Sequence, residues 1–328
     1  MKKLLFTLPV APKNITRLDE FLQLLKDKDF DVEIIAGIKH LTEDQLLEKW
    51  PGVVAHIASS DKMTARAMQA ADQLKIISRA GVGIETIDVP AATERGIAVT
   101  NAPGAGAETV AEFTFALIIA LSRRLIEAHN SLHAGKWERL HGISLYRKTL
   151  GVVGLGNIGK QLIKISSGFD MKPIAFDPYA DKQYALENGI ELCTLDELLT
   201  KSDYVSIHVP YNQHTKNLIS ERELRMMKPS AQIINTSRGG IVNEEALFTA
   251  LKENVIFGAA LDVYTTEPFT DLSNPLFTLD NLIMTPHAAG SSFEGRNRII
   301  EAAVHNVINY FEGRPLVGLV NPEVLQKS

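Results

Sequence analysis

Short apolar runs alternate with segments of helical periodicity along the first hundred or so residues. Apolar runs rich in β-branched residues predict buried strands; they fall at 4–8, 32–35, 53–57, 75–78 and 97–100. Apolar positions spaced three and four apart predict helices, here at 15–26, 43–50 and 63–71, the second opening with a Thr42–Gln45 capping box. Such alternation predicts a parallel sheet with helices on both faces.

A cluster of proline and glycine at 101–106 interrupts this pattern, and a second α/β block follows. One long and largely apolar helix is predicted over 107–133, and it needs cover on most of its circumference. Further strands are predicted at 149–153, 173–176, 204–209, 232–236, 256–262 and 282–285, and helices at 157–167, 221–227 and 243–252. A capping box at Thr194–Glu197 marks another helix start.

The final amphipathic stretch, about 292–311, most simply returns to the first block. We therefore predict an α/β fold with two doubly wound parallel-sheet domains. The first domain is discontinuous and comprises 1–103 and 291–328, and the second spans 104–290.

The segment 149–160 carries the clearest chemical signal. Gly154, Gly156 and Gly159 form a G-x-G-x-x-G pattern between a predicted strand and a helix that begins at Asn157. In that context the first glycine allows a tight turn, the second lets the backbone approach a pyrophosphate, and the third lets the helix pack on the strand. The helix N-terminus then offers N–H groups to the anion. The pattern predicts a dinucleotide site, the alternative being a purely structural turn.

An acidic residue, Asp177, ends the next predicted strand. It lies about 20 residues beyond the glycines, where an acceptor for a ribose 2′-hydroxyl is expected. The same carboxylate would repel the 2′-phosphate of NADP. The sequence therefore predicts NAD as the cofactor.

Three reactive side chains, Arg238, Glu267 and His287, follow predicted strand ends in the second block. Ligands of open α/β sheets bind outside the carboxyl ends of the strands, so we expect the three to converge near the nicotinamide. Histidine can take the hydroxyl proton of a 2-hydroxy acid as hydride leaves. A carboxylate at its other ring nitrogen would fix the tautomer, and arginine would bind the substrate carboxylate. The alternative is a loop ion pair beside a solvated histidine.

Composition narrows the class of protein. The chain has 328 residues and a formal net charge of −5 that is spread along it, so neither nucleic acid nor an anionic membrane is expected as a partner. Cys193 is the single cysteine, which excludes an intrachain disulfide or a thiolate metal site and fits a cytoplasmic location. No metal site is predicted. The stretch closest to a membrane span, 111–121, is too short.

Together these motifs resemble the D-isomer-specific 2-hydroxyacid dehydrogenase family over nearly the whole chain. The segments that carry the resemblance are NAPGAGAETVAE, RKTLGVVGLGNIG, FDPY, SIHVPYNQHTKNLI, INTSRGGIVNEEAL, GAALDVYTTEP and TPHAAGSS. The resemblance implies a Rossmann NAD domain inserted into a smaller, flavodoxin-like substrate domain. It also implies a homodimer.

The resemblance further implies roles for individual residues. It places the three strand-end residues above in the catalytic set. Cofactor contacts would come from the glycine turn and from later strand ends, namely Gly154, Gly156, Asn157, Ile158, Gly159, Asp177, Val209, Pro210, Thr236, Ser237, Asp262 and Gly290. Val209 and Pro210 would wall the adenine, and Thr236 and Asp262 would meet the nicotinamide carboxamide. The substrate would be bound by Arg79, Val82 and Gly83.

Within the family, the segments SRAGVG, GKWER and FDPY are most similar to members that oxidise 3-phosphoglycerate, so that acid is the expected substrate. Arg79, with Arg139, would bind its phosphate; the alternative is that both form structural ion pairs. A second functional hypothesis is a dehydrogenase of another small acid, of the glyoxylate, hydroxypyruvate or phosphite type. A third, from a different class, is an NAD-sensing binding protein similar to the corepressors that resemble this family.

Overall fold

Two parallel β-sheets, each with its own helices, organise the computed structural model, which describes residues 1–8, 11–37 and 40–326. The first unit comprises Met1–Gly106 with Ser291–Ser328, and the second comprises Ala107–Gly290. All strand pairs of the two sheets are parallel within the described residues, so the predicted α/β fold class is confirmed. Residues 9, 10, 38, 39, 327 and 328 of the predicted first domain lie outside the described residues.

The first sheet has the strand order β2-β1-β3-β4-β5. Its strands are β1 (Lys2–Leu8), β2 (Phe30–Ala36), β3 (Ala55–Ala58), β4 (Ile76–Arg79) and β5 (Ala98–Thr100). Its helices, numbered along the chain, are α1 (Leu18–Lys26), α2 (Glu43–Lys49), α3 (Ala65–Met68), α4 (Val89–Glu94) and α12 (Phe293–Phe311). Leu4, Leu5 and Phe6 are all fully buried, because helices cover both faces of a parallel sheet.

Helix α12 returns the chain to the first sheet. Ile300 on this helix belongs to the same buried cluster as the apolar residues of β1, β3 and β4. At its C-terminal end the ring of Phe311 lies 5.3 Å from that of Phe30, at the start of β2. At its N-terminal end Asn297 donates to the Thr16 hydroxyl, beyond the end of β1. The helix therefore runs antiparallel to the strands, and its first turn lies at their carboxyl ends.

The second sheet has the strand order β12-β11-β10-β9-β6-β7-β8. Its strands are β6 (Thr149–Val153), β7 (Lys172–Phe176), β8 (Glu191–Leu192), β9 (Tyr204–Ile207), β10 (Gln232–Asn235), β11 (Gly258–Leu261) and β12 (Leu282–Met284). Its helices are α5 (Ala107–Ser122), α6 (Leu125–His133), α7 (Asn157–Ser166), α8 (Lys182–Glu187), α9 (Leu195–Lys201), α10 (Glu221–Met226) and α11 (Glu244–Lys252). The strand order reverses between β6 and β9, and such a switch point is where open α/β sheets bind their ligands.

The prediction of a single helix over 107–133 is wrong, because the chain breaks between α5 and α6. Arg124 adopts a left-handed conformation with φ 51°. The N–H of Ile143 donates to the Ser122 carbonyl at 2.8 Å, and a Cβ on Gly142 would lie 2.4 Å from the same oxygen. A segment from further along the chain thus takes the last carbonyl of α5 and prevents the helix from continuing.

The other predicted elements are present, with ends shifted by a few residues. Both predicted capping boxes form, at the starts of α2 and α9. Helix α3 is much shorter than the predicted 63–71, and the short elements α4, α8 and β8 have no counterpart in the prediction. Short helices bury few apolar residues, only Ala92 in α4 and Ala185 in α8, so their periodicity is too weak to detect.

Candidate active site

The glycine turn between β6 and α7 is shaped by the close approach of its neighbours. Gly154 has φ 99°, and a Cβ there would lie 2.6 Å from the His208 carbonyl oxygen. A Cβ on Gly159 would lie 2.4 Å from the Gly154 carbonyl, so the helix needs glycine to pack on the turn. Around Gly156, by contrast, nothing lies within 4 Å of an added Cβ. The turn therefore leaves open space at the glycine where the protein backbone would approach a pyrophosphate.

The start of α7 faces that open space. Asn157 and Ile158 are its first two residues, and their N–H groups have no carbonyl in a preceding turn to accept them. No side chain caps this helix start. The free N–H groups and the positive end of the helix dipole suit an anion.

Asp177 is fixed against the turn. Its Oδ2 accepts from the N–H of Leu155 at 2.8 Å, and its Oδ1 accepts from the N–H of Tyr179 at 2.8 Å. Each carboxylate oxygen has a second lone pair. The predicted ribose acceptor is therefore oriented by the glycine turn itself and keeps capacity for further donors.

His208, at the end of β9, has a ring nitrogen that nothing occupies within the described part of the chain. Its Nε2 lies 2.8 Å from the Ser206 hydroxyl, whereas its Nδ1 is buried and lacks a hydrogen-bond partner there. Burial lowers the pKa of His208 to about 3. A buried orphan nitrogen beside Gly154 is consistent with a polar group of a ligand at this strand end. The next residues, Val209 and Pro210, are half-buried and exposed, respectively.

The loop that carries His287 is anchored by Asp262. This carboxylate is fully buried just after β11 and accepts hydrogen bonds from the Thr285 hydroxyl at 2.5 Å and from the N–H groups of Ala288 and Ala289, both at 2.8 Å. Most of its lone pairs are thus used within the unit. The structure gives Asp262 a role as a loop anchor, which the sequence does not predict.

The predicted histidine–carboxylate pair is formed. His287 Nδ1 lies 2.8 Å from Glu267 Oε2, and Glu267 Oε1 accepts from the N–H of Tyr264 at 3.1 Å. The His287 side chain is half exposed and that of Glu267 less so. Because Nδ1 is engaged by the carboxylate, Nε2 is the nitrogen left for a ligand.

Arg238 follows β10, the neighbour of β11 in the sheet. Its guanidinium donates to the Ser237 carbonyl at 2.8 Å, and its own carbonyl accepts from the Asn235 side chain. A Cβ on the next residue, Gly239, would lie only 1.9 Å from the Tyr264 carbonyl oxygen. The loop of Arg238 therefore presses directly on the segment that leads to Glu267.

Three other predicted cofactor residues lie near these loops. The Thr236 hydroxyl is 2.8 Å from that of Thr114 on α5. Ser237 is buried and donates to the Asn235 side chain. Nothing lies within 4 Å of an added Cβ on Gly290, the last residue of the unit.

The predicted substrate residues belong to the first unit: Arg79 is the last residue of β4, and Val82 and Gly83 follow that strand. The Arg79 guanidinium donates to the carbonyls of Ala80 at 2.7 Å and Ala58 at 3.3 Å. Val82 is half exposed, and its carbonyl accepts from the Asn101 side chain at 2.7 Å. With that carbonyl tied down, the 82–83 peptide is held at the carboxyl end of the sheet. Part of Arg79's donor capacity is used to bind its own loop.

The sequence does not single out two further charged residues, Glu244 at the start of α11 and Arg296 at the start of α12. Glu244 accepts two hydrogen bonds from Thr265, two residues before Glu267. Arg296, in the first turn of α12, is partly buried, and within 1–8, 11–37 and 40–326 no acceptor bonds its guanidinium. Burial lowers the pKa of Arg296. The capped start of α11 does not predict the contact of Glu244 with Thr265, because that contact depends on segments brought together by the fold.

A cavity of about 1070 Å³ lies elsewhere in the second unit. Its lining includes Arg124, just before α6, and Ile256 and Asn281, which precede β11 and β12. It is therefore at the amino ends of those strands, opposite the loops of Arg238, Glu267 and His287.

In the described residues no group of three or more histidine, cysteine or acidic side chains is arranged to hold a metal. No helix found there has the length and apolar character of a membrane span.

Comparison with known proteins gives consistent results. Residues 115–289 match the family described as D-isomer specific 2-hydroxyacid dehydrogenase, NAD binding domain. The whole chain is 40% identical to a D-3-phosphoglycerate dehydrogenase of Methanocaldococcus jannaschii, of which it covers 61%. It is 37% identical over its full length to a glyoxylate reductase of Thermococcus litoralis, of which it covers 99%.

Among solved structures, the NAD complex of an NAD-dependent formate dehydrogenase from Staphylococcus aureus is 27% identical, with a TM-score of 0.80. The match covers 96% of this chain and 97% of that one. The chain spans about three fifths of the first relatives it matches, 61% and 59% of two D-3-phosphoglycerate dehydrogenases. These similar proteins are named for different substrates, so similarity alone does not identify the acid on which this chain acts.

Proposed function

The chain belongs to the D-isomer-specific 2-hydroxyacid dehydrogenase family, and from that premise we propose that it interconverts a D-2-hydroxy acid and its 2-keto acid with NAD. The observation that carries the proposal is the 2.8 Å contact between His287 Nδ1 and Glu267 Oε2 at neighbouring strand ends. A histidine oriented by a carboxylate is suited to moving one proton.

The second unit fits the cofactor in three places. The space around Gly156 accommodates a pyrophosphate, the N–H groups of Asn157 and Ile158 face it, and Asp177 is oriented for ribose hydroxyls. The orphan Nδ1 of His208 gives a further polar contact at the same turn. When bound, NAD accepts the hydride from C2 of the hydroxy acid.

The protein's own groups then handle charge and protons. In oxidation, Nε2 of His287 would take the hydroxyl proton of the substrate as hydride leaves C2. Glu267 holds Nδ1–H and stabilises the imidazolium that forms. Arg238 binds the substrate carboxylate. In reduction the same proton returns from His287 to the carbonyl oxygen.

The remaining predicted cofactor contacts stay part of the proposal. Val209 and Pro210 line the pocket for the adenine, and Ser237 and Gly290 lie beside the nicotinamide end. Thr236 and Asp262 meet the carboxamide; Asp262 does so with the capacity left by its three loop donors.

For the substrate we propose an acid with a second anionic group, of which 3-phosphoglycerate is the example. Val82 and Gly83 bind the carboxylate end through their backbone N–H groups, and Arg79 binds the phosphate. Arg296 supports this choice, because a partly buried guanidinium without an acceptor in the described chain favours an anionic partner. Arg139 is exposed and adds to the phosphate site.

We also propose that the protein is a homodimer in the cytoplasm. The proposal of a dimer is supported by exposed apolar side chains in one segment: Leu125, Ile126 and Leu132 on α6 and Trp137 just beyond it are all about half exposed or more. A cytoplasmic location rests on the single cysteine. Analytical ultracentrifugation tests the dimer, and a monomer at micromolar concentration would contradict it.

The experiment that tests the function is a panel of acids assayed with the purified protein. NADH consumption would be followed with 3-phosphohydroxypyruvate, hydroxypyruvate and glyoxylate, and NADH formation with D- and L-hydroxy acids. In the oxidative direction we expect NADH formation with D-hydroxy acids only. In the reductive direction we expect the highest kcat/KM with 3-phosphohydroxypyruvate. Turnover of small acids alone would favour the glyoxylate or hydroxypyruvate type. NADH binding with no turnover on any acid would favour a binding protein and overturn the proposal.

A further inference from the structure

The segment that carries Glu267 has no regular secondary structure. It leaves β11 at Leu261 and is held by side chains instead of a strand ladder. The Tyr264 hydroxyl donates to the carbonyls of Leu261 at 3.1 Å and Thr285 at 3.0 Å. The position of the Glu267 carboxylate therefore depends on a small number of anchors.

Glu244 provides the anchor on the far side of Tyr264. Its Oε1 accepts from the N–H of Thr265 at 2.6 Å and from the Thr265 hydroxyl at 2.7 Å. Glu244 is the first residue of α11, and the preceding Asn243 caps that helix through the N–H of Ala246. A fixed helix start is thus joined to an irregular segment by two hydrogen bonds to a carboxylate, which are stronger than bonds between neutral groups.

His287 is held independently of this anchor. Its own N–H donates to the Asp262 carbonyl at 2.8 Å, and the Asp262 carboxylate binds the residues on either side. If the Thr265 segment moved, His287 would stay in place and Glu267 would move away from it. A displacement of about 1 Å at such a site can cost about a hundredfold in rate.

We propose that Glu244 is a positioning residue that holds Glu267 against His287 Nδ1 by tying Thr265 to α11. The inference rests on the proposed function for its effect on catalysis, and on the contacts of the second unit for its geometry. Among the described residues Glu244 bonds Thr265 and makes no hydrogen bond to Glu267 or His287, so it acts through the segment between them.

A double-mutant cycle tests the proposal. The variants are Glu244→Ala, Glu267→Gln and the two combined, assayed for reduction of a 2-keto acid with NADH. Glu244→Ala should lower kcat by about tenfold to a hundredfold and leave KM for NADH unchanged. It should add little to the loss already caused by Glu267→Gln, because both changes remove the same contact. Glu244→Gln should recover much of the rate, since its carbonyl oxygen still accepts both bonds.

The matched control is Glu245→Ala. Glu245 lies in the same turn of α11 and is exposed, and its carboxylate makes no bond to the described chain, so its loss should not change kcat. Two outcomes would overturn the proposal. One is a double variant whose loss of kcat is the product of the losses in the two single variants, and the other is a wild-type kcat in Glu244→Ala.

Crystal structures of the same variants give a readout that needs no activity. In Glu244→Ala the separation of His287 Nδ1 and Glu267 Oε2 should exceed about 3.5 Å, the outer limit of a hydrogen bond, while Glu245→Ala should keep it. An unchanged separation in Glu244→Ala would refute the positioning role. If the wild type turned over no acid, the proposed function would be refuted. The distance between His287 Nδ1 and Glu267 Oε2 in the variant structures would still show whether Glu244 positions Glu267.

Discussion

His287 Nδ1 and Glu267 Oε2 are 2.8 Å apart although 20 positions separate the two residues along the chain. Each is delivered by the end of a different strand, β12 and β11, which are neighbours in the sheet. The contact leaves Nε2 as the nitrogen that can exchange a proton with a substrate. The following experiments test this arrangement and the groups around it.

Replacing His287 with alanine removes the proposed acid–base group. General acid–base catalysis contributes typically about 10²–10⁴-fold, so kcat should fall by that order. The dissociation constant of NADH, measured by fluorescence, should change little because the glycine turn is intact. His305→Ala, an exposed histidine on α12, is the control and should behave as wild type. Near-normal turnover in His287→Ala would remove this residue from the mechanism.

Asp177 should determine the choice between NAD and NADP. Its carboxylate repels a 2′-phosphate, so wild type should use NAD with much higher kcat/KM. Asp177→Asn removes the charge but keeps an oxygen for the N–H of Leu155. We expect Asp177→Asn to reduce the ratio of kcat/KM with NAD to kcat/KM with NADP, mainly through changes in KM for the two cofactors. Equal efficiency of wild type with NAD and NADP would show that the carboxylate does not face the ribose.

Gly239 should not tolerate a side chain. A Cβ there would lie 1.9 Å from the Tyr264 carbonyl oxygen, a backbone atom that cannot rotate away. Gly239→Ala should therefore separate the loops of Arg238 and Glu267, lower Tm by several degrees and reduce kcat by at least about tenfold. Gly168→Ala is the control, since nothing lies within 4 Å of its added Cβ. Equal Tm and kcat in the two variants would contradict the predicted clash.

His56 should make the first unit sensitive to acid. Its ring is fully buried, Nδ1 accepts from the Trp50 indole at 3.0 Å, and burial lowers the pKa of His56 to about 4. Below an ordinary pKa of about 6.5 the unfolded chain takes up a proton that the folded chain refuses, so stability present above that pH is lost as pH falls. Between about pH 7 and pH 5 the loss should be about 2 kcal/mol.

Urea unfolding of the whole protein at the two pH values measures this loss. His56→Gln cannot take up the proton, so its free energy of unfolding should depend less on pH even if it is lower throughout. His208, whose pKa burial also lowers, should contribute in the second unit. A pH dependence that is the same in wild type and His56→Gln would contradict the assignment.

Arg296 should matter only for acids with a second anionic group. A hydrogen bond to a charged group contributes roughly 1.5–3 kcal/mol, so Arg296→Gln should raise KM for 3-phosphohydroxypyruvate by about tenfold to a hundredfold. KM for glyoxylate should stay within about twofold. Arg79→Ala should show the same selectivity, and Arg95→Gln, an exposed arginine after α4, should show no effect. Equal losses on both acids would exclude a phosphate site at Arg296.

The sequence was informative where structure depends on neighbouring residues. The glycine turn, the capping boxes and the apolar strands were predicted correctly, because a turn, a helix start or a buried strand is specified within a few residues. The pair of His287 and Glu267 was also foreseen, since parallel strands deliver their carboxyl ends to one edge.

Contacts that only the fold creates were missed. The break at Arg124 is caused by Gly142 and Ile143, which approach Ser122 from a later segment. The hydrogen bonds from Thr265 to Glu244 join residues 21 positions apart, and such a contact has no periodic pattern in the sequence. Such contacts follow from the relative placement of elements, which residue spacing does not encode.

The place of α12 in the chain has a consequence for biosynthesis. The strands of the first sheet are complete by Thr100, but Ile300 and the other core residues of α12 are made only after the entire second unit. A contiguous second unit can close its core while the ribosome is still translating, whereas the first sheet keeps an apolar face uncovered until the last helix emerges. Nascent chains that end before residue 293 should therefore be the species most prone to aggregate and most dependent on chaperones.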